Sequence, residues 1–193
     1  MARLTGSNKI KTAVFISGTG SNLNSLIKFS KLKESPITID IIISNNPKSE
    51  GLNFGKIYKI KKKIFNFKKN TSPEKEILIE LQKNKINLIC LAGFMKILSK
   101  NFINNFNGKI LNIHPSLLPK YKGLNTHEKA IKNKDNYSGC TVHFVNSKLD
   151  SGKIINQKKV KINKKDTPKT LAKKILAQEH KLYPKAILKI FNL

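Results

Sequence analysis

The chain has 193 residues, of which 39% are hydrophobic and 7% aromatic, and its formal charge is +27 at pH 7. Its length suits a single domain spanning 1–193 that buries about 70% of the surface its unfolded form exposes. No apolar run approaches the roughly 20 residues that cross a bilayer, Cys90 and Cys140 do not make a disulfide framework, and the opening MARLTGSNKIK lacks an apolar stretch of signal-peptide length. These features argue against a membrane partner and against export, and the expected compartment is the cytoplasm.

In chain order, residues 11–17 (KTAVFIS) form a short apolar run with β-branched members, a strand closed at once by a glycine turn. Residues 22–33 carry Leu23, Leu26, Ile27 and Leu32 at helical spacing. Residues 38–44 (TIDIIIS) read as a buried strand and 44–47 (SNNP) as a turn. A short helix is expected over 49–55 and a short strand over 56–60. Thr71, Ser72, Pro73 and Glu74 open a helix to about Asn84, with a hydroxyl cap and a proline in the first turn. Residues 86–92 (INLICLA) are the next buried strand, followed by a short helix over 100–106 and a strand over 109–113. A helix is expected over 126–132 and a strand over 139–145. Residues 154–162 alternate like an exposed or antiparallel strand. Thr167 and Pro168 start a long final helix reaching about Ile190.

Strand and helix alternate through the first 113 residues, which predicts an α/β fold with a doubly wound, mostly parallel sheet. The last two strands have no helix between them, so at least one antiparallel neighbour is expected near the C-terminal end. In such sheets ligands bind outside the carboxyl ends of the strands. The turns at 18–22, 93–98 and 112–119 each follow a strand and are therefore expected to meet at one crevice.

Three patterns could carry chemistry. Gly18-Thr19-Gly20-Ser21-Asn22 joins a strand to a helix, where backbone N–H groups and the helix N-terminus favour an anion such as phosphate. Leu23 stands where a dinucleotide fingerprint has its third glycine, and a plain tight turn is the alternative. Asn112 and His114 lie two apart at a strand end, so their side chains project to one side. An amide and an imidazole aimed at one point can bind a developing oxyanion and move a proton. Asp150, in LDSG, is either a turn corner or the carboxylate that stabilises a neighbouring imidazolium and raises its pKa. His127, His143 and His180 share no ligand spacing with the cysteines, so no metal is expected. Cys90 lies inside a strand and reads as inert core.

SGTGSNL (17–23), LAGFMKILS (91–99), LNIHPSLLPKY (111–121) and GCTVHFVNSKLDSG (139–152) closely resemble the phosphoribosylglycinamide formyltransferase family. The resemblance runs in order from about residue 11 to residue 190. It implies a Rossmann-like fold with a nucleotide half over about 1–90 and a folate and catalytic half over about 91–193. It also implies direct formyl transfer from 10-formyltetrahydrofolate, the co-substrate, to the amine of glycinamide ribonucleotide. Asn112 and protonated His114 would stabilise the tetrahedral oxyanion, and Asp150 would keep His114 charged and help relay a proton. Gly20, Ser21 and Asn22 would bind the phosphate, and Glu179 would contact the ribonucleotide. Met95, Lys96, Ile97 and Leu98, with Asn112, would meet the folate. The implied partners are these small molecules alone, with the chain acting as a monomer or homodimer.

The sequence departs from that family at Lys96, where arginine is usual, and over 64–72, a lysine-rich segment without the arginine often found near the folate glutamate, for which Lys61, Lys62, Lys68 and Lys69 are the candidate substitutes. Leu176 stands where a polar contact is common. Two other readings stay open: a methionyl-tRNA formyltransferase-like enzyme, and a basic nucleic-acid-binding α/β module. Against the second, Arg3 is the single arginine, and the lysines are spread over every segment alongside Ile and Asn, as an A/T-rich coding bias would produce. The charge then implies only weak, non-specific attraction to polyanions, with no specific nucleic-acid partner.

Overall fold

The computed structural model describes residues 9–67 and 73–193. Arg3, Lys68, Lys69, Thr71 and Ser72, and with them the expected hydroxyl cap, lie outside the described residues. The strands are β1 (Ile10–Ile16), β2 (Ile37–Ser44), β3 (Lys61–Ile64), β4 (Leu88–Leu91), β5 (Lys109–His114), β6 (Tyr137–Phe144) and β7 (Ile154–Lys161). The helices are α1 (Ser21–Ser30), α2 (Asn53–Ile57), α3 (Glu74–Lys83), α4 (Lys100–Asn105), α5 (Thr126–Lys132) and α6 (Pro168–Ile190). The sheet order is β3-β2-β1-β4-β5-β6-β7. β1 pairs in parallel with β2 and β4, β2 in parallel with β3, and β6 runs antiparallel to β7. This is the expected mostly parallel α/β sheet with an antiparallel C-terminal end. The chain divides into two compact units, one up to Leu111 and one from Asn112.

In the first unit, Ala13, Val14, Phe15 and Ile16 of β1 and Ile41, Ile42 and Ile43 of β2 are fully buried. Continuous burial on both faces is what a central parallel strand requires, and each such side chain contributes about 1.5–3 kcal/mol. Leu23, Leu26 and Ile27 make the buried stripe that seats α1 on β2. Leu32 lies past the end of the helix and is exposed. Pairing between β1 and β2 skips Asp40, whose carboxylate takes up the Thr12 N–H at 3.2 Å and the Thr38 hydroxyl at 2.6 Å. The extra residue of this bulge thus brings its own acceptor.

One expected strand is misplaced. Residues 53–57 are helical and the strand comes at Lys61–Ile64, not over 56–60. All four residues of β3 are exposed, so this edge strand has no apolar alternation to announce it. Lys61 and Lys63 instead pair with Glu80 of α3, at 2.5 and 3.9 Å.

In the second unit, Leu171, Ile175, Leu182, Tyr183, Ala186 and Ile187 form the buried stripe with which α6 packs on β6 and β7. Thr167 opens α6 with a capping box: its hydroxyl accepts the Thr170 N–H while the Thr170 hydroxyl accepts its own.

Candidate active site

The first unit assembles a polar crevice at three strand ends. Beyond β1, the Ser17 hydroxyl donates to Asn45 Oδ1 and accepts the Met95 N–H at 2.7 Å, while Asn46 Nδ2 donates to the Ser17 carbonyl at 3.1 Å. The turns after β1, β2 and β4 therefore converge, as the strand-end rule anticipates. A cavity of about 430 Å³ opens there, lined by Ser17, Asn45, Asn46, Asn66, Phe67, Met95 and Lys96. Phe94 packs edge-on to Phe15 at 5.3 Å and to the lining residue Phe67 at 5.9 Å. Of the four residues expected to line a folate pocket, Met95 and Lys96 face this cavity, Leu98 turns into the core at 5% exposure, and Ile97 lies on the surface at 72%.

Gly20 caps α1 with φ 74°, and a Cβ there would come within 2.7 Å of Gly51 Cα. The Gly18 carbonyl accepts the Gly51 N–H at 3.1 Å and the Ser49 hydroxyl at 2.6 Å. Glycine at position 20 is thus demanded by the backbone itself, and Ser21 and Asn22 follow as the first residues of α1.

The second unit brings Asn112, His114 and Asp150 together. The two strand residues face one side of β5, and Asp150, held at φ 45°, presents its carboxylate to both. Asp150 Oδ2 accepts the Gly123 N–H at 2.9 Å and lies 3.3 Å from His114 Nδ1. Its Oδ1 lies 3.4 Å from Asn112 Nδ2 and 3.5 Å from His143 Nε2. His114 Nε2 meets the Tyr121 carbonyl at 2.8 Å. A carbonyl oxygen only accepts, so Nε2 carries a hydrogen and Nδ1 is the nitrogen that titrates, turned toward Asp150. His143 Nδ1 likewise donates to the Phe144 carbonyl at 2.8 Å, leaving Nε2 to accept from Asn112 Nδ2 at 3.3 Å.

Both contacts of Asn112 are longer than the roughly 2.9–3.0 Å of a well-formed bond, so its amide hydrogens can be given up to a better acceptor. Burial opposes ionisation of Asp150, but the His143 contact, the Gly123 amide and the charge of His114 outweigh it and hold the carboxyl below the ordinary range. For His114 the balance falls the other way. Burial lowers its pKa, and the Tyr121 carbonyl and Asp150, which raise it, do not make up the difference. Burial of His114, which is only 5% exposed, thus works against the imidazolium that Asp150 is expected to favour.

Sequence reasoning passed over His143 and Tyr121. A histidine inside the apolar run GCTVHFV is itself a signal, because a buried imidazole needs polar partners. Tyr121 acts through its backbone and leaves no such trace. Glu179, expected to contact a ribonucleotide, is buried on α6, where it and the burial of Cys140 push that thiol up to about 12. Among the described residues no three His, Cys, Asp or Glu side chains cluster as metal ligands would.

A mostly parallel sheet with polar turns at its strand ends, and an amide, an imidazole and a carboxylate gathered beside β5, suit a group-transfer enzyme. Residues 10–187 match the formyl transferase model, and the chain belongs to that family. It is 44% identical over 180 residues to the phosphoribosylglycinamide formyltransferase of Haemophilus influenzae, covering 92% of this chain and 85% of the relative. It is 43% identical over 182 residues to the trifunctional purine biosynthetic protein adenosine-3 of Homo sapiens, covering 93% of this chain but 18% of that much longer one. The crystal structure of phosphoribosylglycinamide formyltransferase from Brucella melitensis superposes with a TM-score of 0.88 at 40% identity, covering 95% of each chain.

Proposed function

We propose that this chain transfers the formyl group of 10-formyltetrahydrofolate to the primary amine of glycinamide ribonucleotide, giving formylglycinamide ribonucleotide and tetrahydrofolate in purine synthesis. The observation that carries this reading is the Asp150 carboxylate, which lies within 3.5 Å of Asn112, His114 and His143. The amine attacks the formyl carbon, and the carbonyl oxygen becomes an oxyanion in a tetrahedral adduct. Asn112 exchanges its long contacts for that oxyanion, worth about 3–4 kcal/mol of barrier for one well-placed donor. His114 enters neutral and takes up the ammonium proton at Nδ1, directly or through a water held by Asp150. The imidazolium so formed faces the oxyanion and is stabilised by the carboxylate. The same proton leaves on N10 of tetrahydrofolate as the carbon–nitrogen bond breaks.

On this reading Gly20, Ser21 and Asn22 bind the phosphate through the start of α1, and Glu179 meets the ribonucleotide. Met95, Lys96, Ile97 and Leu98, with Asn112, bind the folate, and Lys96 offers a point charge where a guanidinium fork is usual. The enzyme acts in the cytoplasm as a monomer or homodimer on small molecules, with neither nucleic acid nor membrane as a specific partner. No helix among the described residues is long and apolar enough to cross a membrane.

Incubation with glycinamide ribonucleotide and 10-formyltetrahydrofolate tests the reading by following tetrahydrofolate release. Turnover is expected in the wild type and should fall by about 10²–10³-fold in His114→Ala. Binding of the ribonucleotide without release of tetrahydrofolate would overturn it.

A further inference from the structure

The loop that follows β5 is pinned at two places. Near its start, the Thr141 hydroxyl donates to the Ser116 carbonyl at 2.6 Å and accepts the Leu118 N–H at 3.1 Å, and Gln157 Nε2 bonds both Leu118 O and Thr141 Oγ1 at 2.8 Å. At its end the fixed point is Tyr121, a bulky residue held in the left-handed region at φ 56°. Such a conformation is strained and persists only where the surroundings impose it.

The surroundings are a clamp on the phenol. Its O–H donates to Asp135 Oδ2 at 2.8 Å, and its oxygen accepts from Asn133 Nδ2 at 2.7 Å. The other Asp135 oxygen takes Lys120 Nζ at 2.7 Å, and that ammonium lies 5.0 Å over the Tyr121 ring. Both clamp residues are fixed by the end of α5: the Asn133 N–H donates to Lys129 O and the Asp135 N–H to Ala130 O, each at 3.0 Å. Inside the loop, the Ser116 hydroxyl donates to Lys120 O at 2.6 Å and more weakly to Tyr121 O at 3.4 Å. The Tyr121 carbonyl, fixed from both sides, meets His114 Nε2 at 2.8 Å.

We infer that Tyr121 is a positioning residue for His114: the grip of Asp135 and Asn133 on its phenol keeps its carbonyl on the Nε2 hydrogen, and so decides that Nδ1 is the nitrogen offered to Asp150 and the reacting atoms. The choice of tautomer is chemically decisive, since the wrong one would point a hydrogen-bearing nitrogen at the site and leave the proton carrier without a place to load. The kinetic consequence rests on the formyl-transfer reading. The tautomer does not, and it can be observed without turnover.

The test uses full-length protein labelled with ¹⁵N, with His114 assigned by its absence in His114→Asn. Long-range ¹H–¹⁵N spectra above the ring's titration are expected to show a single Nε2–H tautomer for the wild type. In Tyr121→Phe and in Asp135→Ala the His114 signals are expected to become a mixture of tautomers, and kcat to fall about tenfold while KM for both substrates stays within twofold. Asp135→Asn keeps an acceptor for the phenol and is expected to restore most of the rate. Tyr121→Gly relieves the backbone strain but removes the clamp and should behave like Tyr121→Phe. If Tyr121→Phe and Asp135→Ala keep the wild-type tautomer, or lose only melting temperature with kcat intact, the inference is overturned. A wild type with the Nε2–H tautomer but no formyl transfer would sink the proposed reaction and leave the positioning intact.

Discussion

The two units solve different problems with different materials. The crevice of the first is made largely from neutral groups, a serine hydroxyl, asparagine amides and a main-chain N–H, with Lys96 as its charged lining residue. It can surround an anion or a flat ring without itself changing state. The cluster of the second is organised around one buried carboxylate with two histidines and an amide within 3.5 Å of it. All four histidines of the chain, His114, His127, His143 and His180, belong to the second unit. On the proposed function, the contrast predicts a division of labour in which the first unit mainly holds ligands and the second mainly reacts.

The largest effect that would sharpen this division is expected from Asp150→Asn. Asparagine tolerates the left-handed backbone at position 150, so the fold survives, while the charge that balances an imidazolium is lost. A drop in kcat on the order of 10³-fold is expected, with both KM values nearly unchanged, in steady-state kinetics. A rise in KM with kcat preserved would place recognition in the second unit and break the contrast.

Gly20→Ala should come next, and should move the opposite parameters. Its Cβ would sit 2.7 Å from Gly51 Cα at a positive φ, which costs about 2–4 kcal/mol and roughly 5–15 °C of melting temperature. Where folded protein remains, KM for the ribonucleotide is expected to rise with kcat little changed.

The smallest effect concerns acid. Burial lowers the pKa of both His114 and His127, so the unfolded chain binds protons more readily than the native one once the pH falls below about 6.5. Stability is therefore greatest above that value and declines as the pH drops toward 5. Asp150, whose carboxyl is also held low, adds a further loss at still lower pH. Melting curves across this range should flatten between pH 6.5 and 5 in a His114→Asn, His127→Asn double variant. An unchanged slope would show that the second unit is not the acid-sensitive one.

How far the sequence could be read follows from where the information lies. β1, β2 and β4 are legible because burial on both faces forces uninterrupted apolar runs, and α6 because Thr167, Pro168 and a clean stripe declare its start and face. β3 is not legible, since Lys-Lys-Lys-Ile at an exposed edge obeys pairing geometry and no hydrophobic rule. At the site, Asn112 and His114 are legible from their spacing on a strand. That Asp150 joins them depends on the turn that brings Gly123 to its carboxylate, a tertiary fact. Tyr121 is least legible of all, because the atom that matters is a main-chain oxygen that every residue possesses. What marks it is tertiary, a φ of 56° and the bonds of its phenol to Asp135 and Asn133.

The lysines of β3 have a consequence for crowded solutions. An open sheet edge is a template on which a second copy can add its own strand. Here a copy approaching edge to edge would set Lys61, Lys62 and Lys63 against the same three ammonium groups, only two of which have a nearby carboxylate, the shared Glu80. The lysines thereby make this edge self-repelling. Light scattering at rising salt, where that repulsion is screened, is where a tendency to associate through it would first be seen.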